Sequence, residues 1–202
     1  MLFQLQSCFA DNEHVVRSLV EVSIEFENPI HTRCIEMICN VTRFATNTAH
    51  LARNSALIDT LVKCGKSNNL DDRIWSMRSF QNIASDSTSK VILANSRILT
   101  LLSICSMRKD YEEQVAAVAA IYNLSTEPGA VVPLTNTRNV VATLIHLAHN
   151  AASTPEIRKM ACDALATIGL WLQTLAGSGT VPEGVDKVLL PSHTTSGWER
   201  WD

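Results

Sequence analysis

His146 and His149 stand three apart, a spacing at which two imidazoles on one helix can share a metal ion. No cysteine or carboxylate lies nearby in sequence to complete a ligand set, and the pair falls at the end of a helical pattern, where histidine also suits the helix dipole. The six cysteines are Cys8, Cys34, Cys39, Cys64, Cys105 and Cys162. None form a C-x-x-C pair, and they lie among apolar helix formers, the usual setting of free buried thiols. Gly177-Ser178-Gly179 is the nearest approach to a phosphate loop, but no lysine and helix follow it. No Gly-x-Ser-x-Gly elbow occurs, and seven glycines in 202 residues leave little for tight active-site turns. The reading is of a chain with no catalytic residue, no bound metal and no cofactor. Asn40-Val41-Thr42 and Asn123-Leu124-Ser125 have the form of glycosylation acceptors, but both fall inside apolar helical patterns and read as chance matches.

The asparagines carry a stronger signal, because they recur. Asn40, Asn82 and Asn123 are spaced by 42 and 41, and Thr167 follows 44 later. One residue after each come Val41, Ile83, Leu124 and Ile168; two before come Ile38, Phe80, Ile121 and Leu165. Five before come Ile35, Met77, Val118 and Cys162. These apolar positions are spaced by three and so share one helix face, which must be buried.

A second column is Asn12, Asn54, Asn95 and Asn136, each followed by Glu13, Ser55, Ser96 or Thr137. A short, partly apolar piece precedes Asn54 and Asn95, and a longer amphipathic stretch follows. The column predicts a sharp corner at which Asn adopts a positive φ, with the next Ser or Thr capping the helix beyond. Loops are marked by Asn28-Pro29, Asn68 to Asp72, Lys109-Asp110 and Ser153-Thr154-Pro155, and both Pro29 and Pro155 suit a first helical turn. No strand pattern of useful length is present. The unit is therefore a short helix, a corner, a medium helix, a loop and a longer helix, and units stack into an α-solenoid. The expected divisions are a partial unit at about 1–27, units at 28–69, 70–110 and 111–153, and a terminal unit at 154–176.

With these columns in place, the chain resembles the armadillo-repeat family, a right-handed α-solenoid of three-helix units; the two-helix HEAT repeat is the alternative, since its period overlaps. The resemblance covers roughly residues 5 to 175. It rests on Ile38 to Thr42, Phe80 to Asp86 and Ile121 to Ser125, although Asn stands where the family places a corner Gly. The resemblance implies that the third helices line a concave groove holding an extended peptide, and that Asn40, Asn82 and Asn123 grip the peptide backbone. Nuclear-import adaptors of the family carry a Trp four residues before that Asn; here Glu36, Arg78 and Ala119 stand there, so binding of a basic nuclear-localisation signal is not expected. One turn further back lie Arg33, Trp75, Ala116 and Met160, where Trp75 reads either as a binding anchor or as packing between units. The expected groove residues are Arg33, Glu36, Asn40, Trp75, Arg78, Asn82 and Asn123. With Arg43, Lys159 and Asp163 beside them, an acidic or mixed-charge peptide is the expected partner.

A formal net charge of −3 argues against a strongly basic nucleic-acid binder, and 46% hydrophobic content argues against a disordered chain. No apolar run is long enough for a membrane span, and Met1 to Cys8 lacks a secretory pattern, so a cytoplasmic or nuclear protein is expected. Met1 to Phe9 must supply a first short helix with Leu2, Phe3 and Leu5 on an uncovered end, so two readings stand: this end pairs with something, self-association included, or the chain is the last part of a longer array. Residues 177–202 have a Gly, Ser and Pro-containing tail composition, yet include Trp198 and Trp201, which read as packing residues or as a short docking motif. The functional expectation is a non-catalytic adaptor or scaffold. The alternative is a structural subunit that docks on a larger complex through its N-terminal end.

Overall fold

The computed structural model describes residues 12–25, 29–44 and 48–177. Eleven helices run through them: α1 Glu13–Glu25, α2 Ile30–Phe44, α3 Thr48–Arg53, α4 Ser55–Cys64, α5 Leu70–Ile83, α6 Ser87–Leu93, α7 Ser96–Ser106, α8 Tyr111–Ser125, α9 Pro128–Asn136, α10 Val140–His149 and α11 Pro155–Gly177. No strand occurs among the described residues. Short, medium and long helices alternate as the spacing predicts, with α3–α5, α6–α8 and α9–α11 as three-helix units and α1–α2 preceding them. The long helices α2, α5, α8 and α11 stack side by side in that order.

The apolar columns form one continuous core. Ile38, Phe80, Ile121 and their neighbours Ile35, Met77 and Val118 are buried, and Leu57, Leu61, Leu99, Leu102, Leu144 and Leu147 reach them from the second helices. Burying each such side chain contributes roughly 1.5–3 kcal/mol before entropy is counted. Ala116, Ala117, Ala119 and Ala120 are all buried, so their small size serves close packing of α8 against its neighbours rather than an open site.

The corner asparagines work differently from the expectation. Asn54 and Asn95 are N-caps in extended conformation, at φ −75° and −121°. Their Oδ1 atoms accept from Leu57 N at 3.1 Å and Ile98 N at 3.2 Å. Asn12 likewise accepts from His14 N at 2.9 Å. A side-chain oxygen that satisfies an otherwise orphaned helical N–H needs a β-region backbone, so the capping role excludes the left-handed one. Asn136 ends α9 instead, and the left-handed residue of that corner is Asn139, at φ 73°, the only non-glycine with positive φ among the described residues.

Between units, buried polar groups fasten the loops. Glu113 is fully buried and receives Arg73 Nε at 3.2 and 3.0 Å and Arg108 Nη1 at 2.6 Å. Arg73 Nη1 also donates to the Ser67 and Asn68 carbonyls, and Arg108 Nη1 to that of Gly65. One carboxylate thereby ties the loop before α5 to the first turn of α8. One unit earlier, buried Asp72 accepts from Thr32 Oγ1 at 2.7 Å and Ser67 Oγ at 3.1 Å.

Candidate functional site

The third helices place Arg33 and Glu36 on α2, and Trp75 and Arg78 on α5. Three of these residues meet in one depression of about 500 Å³, lined by Thr32, Arg33, Glu36, Asn69, Asp71 and Trp75. Trp75 does both things its position allows: it packs half-buried against the core, and it walls this depression. The Arg78 guanidinium lies 5.0 Å from its ring centroid. A larger depression of about 670 Å³, lined by Glu13, Arg17, Ile24, His50 and Arg53 among others, contains none of the expected groove residues.

Three of the four expected groove cations are in ion pairs, and Arg43 lies over the Phe44 ring instead. Arg33 Nη1 lies 2.6 Å from Glu36, Lys159 Nζ 2.6 Å from Asp163, and Arg78 Nη2 3.0 Å from Glu112 on the next third helix. Asp71, Glu112 and Glu156 join the surface from the first turns of α5, α8 and α11, and the sequence reading did not single them out. Acidic residues in a first turn look like ordinary complements to the helix dipole, and only the stacking brings Asp71 beside Trp75, Glu112 to Arg78 and Glu156 to Tyr111. Tyr111 O–H donates to Glu156 at 2.6 Å, which holds the phenol above its ordinary pKa.

The Asn column is partly committed to the fold. Asn82 Nδ2 donates to the Cys39 carbonyl at 3.3 Å and to Thr42 Oγ1 at 3.1 Å. Asn123 Nδ2 donates to the Gln81 carbonyl at 3.1 Å. Each amide thus latches its helix to the third helix before it. The two Oδ1 atoms accept no hydrogen bond among the described residues. Asn40 is exposed and makes no such latch among the described residues.

His146 and His149 occupy the last turn of α10. His149 Nδ1 contacts the Ile145 carbonyl at 2.9 Å, and His146 Nε2 contacts Asn150 Nδ2 at 3.4 Å. No group of three or more His, Cys, Asp or Glu side chains is arranged to hold a metal ion among the described residues. Cys64, His31 and Asp72 do lie together: His31 Nε2 is 3.6 Å from both Cys64 Sγ and Asp72 Oδ2. A nucleophile and its orienting acid would need opposite nitrogens of the ring, and here both face the same one while Nδ1 meets the Ser23 carbonyl at 2.6 Å. Burial pushes the Cys64 thiol up to about 12, so it is held as a neutral packing group. Trp198 and Trp201 lie outside the described residues.

The same stack of helices recurs in solved structures. An engineered protein aligns with a TM-score of 0.66 at 18% identity, over 94% of this chain and 82% of that one. A designed armadillo repeat protein in complex with the peptide (KR)4 aligns at 0.63 and 20% identity, over 96% and 85%. A further designed armadillo repeat protein aligns at 0.65 and 18% identity, over 95% and 86%. The fold is an armadillo-type α-solenoid. No family model matches the sequence, and no curated protein does. The armadillo architecture is therefore established through three-dimensional likeness, and its third-helix surface is the candidate site.

Proposed function

We propose that this armadillo-type chain is a non-catalytic binding scaffold that holds an extended peptide of mixed charge along its third helices. The observation that carries the reading is the depression at Trp75, where an aromatic wall, Arg33, and the carboxylates of Glu36 and Asp71 converge. The half-buried indole offers apolar area, and the charges of both signs around it suit a peptide carrying both. Asn82 and Asn123 support it further on, since each keeps an amide oxygen available to a peptide N–H while its nitrogen is fixed. The designed neighbour in complex with (KR)4 supports use of this architecture for peptides. The five described cysteines are free thiols, which supports a reducing compartment such as cytoplasm or nucleus.

The test starts with peptides selected from a random displayed library on the wild-type chain. Glu36→Arg and Trp75→Leu, checked for unchanged helical content, are expected to weaken the selected peptides by about tenfold or more, the loss typical of a central anchor. Unchanged affinity in both variants refutes the placement. A second reading, a structural subunit of a larger assembly, has one observation in its favour: Ile30 and Met37 stand exposed on the outward flank of α2.

A further inference from the structure

The third helices stack in chain order, so each has one flank facing the unit before and one facing the unit after. The backward flank is marked by Ile30, Asp72, Glu113 and Ile157, and again by Met37, Ser79, Ala120 and Ala164. In α5, α8 and α11 both positions are buried under the preceding third helix. In α2 they are 46% and 53% exposed. The forward flank is marked by Ile35, Met77, Val118 and Cys162, and by Cys39, Gln81, Tyr122 and Ala166. Ile35, Met77 and Val118 are fully buried, whereas Cys162 and Ala166 on α11 are exposed. Along the same stripe Leu170 is exposed, and a Cβ placed on Gly169 would meet nothing within 4 Å.

These two open surfaces are the two halves of one interface that the chain already builds three times. We infer that the chain associates head to tail, the forward flank of α11 in one copy packing on the backward flank of α2 in the next. Three observations point to a second copy as the occupant. The α2 flank offers Ile30 and Met37, larger and more apolar than Asp72 and Ser79, so it suits the small-residue stripe Cys162, Ala166 and Gly169. Among the described residues Asn40 lacks the bond that Asn82 makes to Cys39 and Asn123 to Gln81; in the same register its amide donates to the Ala166 carbonyl of the second copy. The bordering pairs Arg33–Glu36 and Lys159–Asp163 present both signs on each side, so like charges do not oppose the contact. The test of this contact runs through Met37 and Ala166, which lie outside the depression at Trp75, so it stands or falls separately from the peptide reading.

A head-to-tail contact leaves one flank open at each end, so it propagates beyond a dimer unless the rotation closes a ring. Sedimentation velocity on the 202-residue chain, from micromolar to near-millimolar concentration, is expected to show mass rising past that of two copies. Met37→Glu disables one half of the interface and Ala166→Glu the other. Each variant alone is expected to self-associate about tenfold more weakly or worse, because a carboxylate would be buried without a partner. Both sites are exposed in the single chain, so melting of the monomer stays unchanged and loss of association is not loss of fold. An equimolar mixture retains one intact pairing and forms a dimer that grows no further. A wild-type chain that remains monomeric throughout overturns the inference, as does association unaffected by either variant. A mixture that fails to dimerise, while wild type associates, shows a different interface and overturns it as well.

Discussion

Glu113→Gln is the perturbation that probes how the units are fastened. Glu113 is fully buried on the first turn of α8, and its two oxygens serve Arg73 and Arg108. The amide keeps the shape but removes the charge, and its NH2 group faces a guanidinium donor. Breaking a buried pair from one side is destabilising by roughly 3–5 kcal/mol. Here the two arginine side chains are 17% and 32% exposed, so water and the Ser67, Asn68 and Gly65 carbonyls relieve part of the uncompensated charge. The expected loss is therefore at the low end, about 3 kcal/mol. For a chain of this size that corresponds to a fall in Tm of about 6–12 °C. The control is its neighbour: Glu112 is 56% exposed and pairs with Arg78 at 3.0 Å, so Glu112→Gln is expected to cost less than about 1 kcal/mol. Urea denaturation followed by circular dichroism measures both. If the Glu113 variant falls no further than the Glu112 variant, the buried network does not fasten the units and the reasoning fails.

Two glycines separate opposite outcomes. A Cβ on Gly65 would lie 2.9 Å from both Leu101 Cδ2 and Met77 Cε, so Gly65→Ala is expected to destabilise by about 1–3 kcal/mol through overpacking. Gly169 lies inside α11 with open space around it, so Gly169→Ala is expected to stabilise by about 0.5–1 kcal/mol, and thermal melts of the pair decide both. Burial pushes the Cys64 and Cys105 thiols up to about 12, so at about pH 7 a thiol reagent is expected to label exposed Cys162 in the native chain and those two only on unfolding; mass spectrometry of the labelled peptides checks it. Partial burial alone would raise the Asp86 carboxyl, but the Ser89 and Thr48 hydroxyls and the Thr88 and Ser89 N–H groups outweigh it and hold the group below its ordinary range. Its contribution is therefore present above the unfolded value of about 3.9 and is lost as pH falls through the lower folded value. Asp86→Asn keeps a capping acceptor for α6 and is expected to show a shallower loss of Tm between about pH 6 and about pH 3; an acid limb as steep as that of wild type would count against the assignment.

Much of the architecture is written in single-residue columns. Ile35, Met77 and Val118 recur at the repeat period because each fills the same space between stacked helices, and a helix face buried identically in successive units needs the same residue type each time. Helix ends were legible for the same local reason: Asn69 and Asp110 cap α5 and α8 where polar residues interrupt the apolar pattern. What the corner asparagines do was not legible, because capping and a left-handed turn ask for the same residue and differ only in φ.

The candidate site divides along the same line. Arg33, Glu36, Trp75 and Arg78 could be placed on third helices from their offsets to Asn40 and Asn82, since a helix converts spacing into a face. Their partners could not. Arg78 finds Glu112, and Asn123 finds the Gln81 carbonyl, across 34 and 42 residues of chain. The depression at Trp75 exists only because α2 and α5 lie side by side with Asn69 and Asp71 at its edge. Which flanks are covered was equally a matter of tertiary structure: Met37 and Ser79 occupy equivalent places in their repeats, and only the helix packed on one and not on the other makes the difference. Sequence determines periodicity because backbone geometry is local. Pairing, burial and the open surface are decided by what the rest of the chain places opposite each helix.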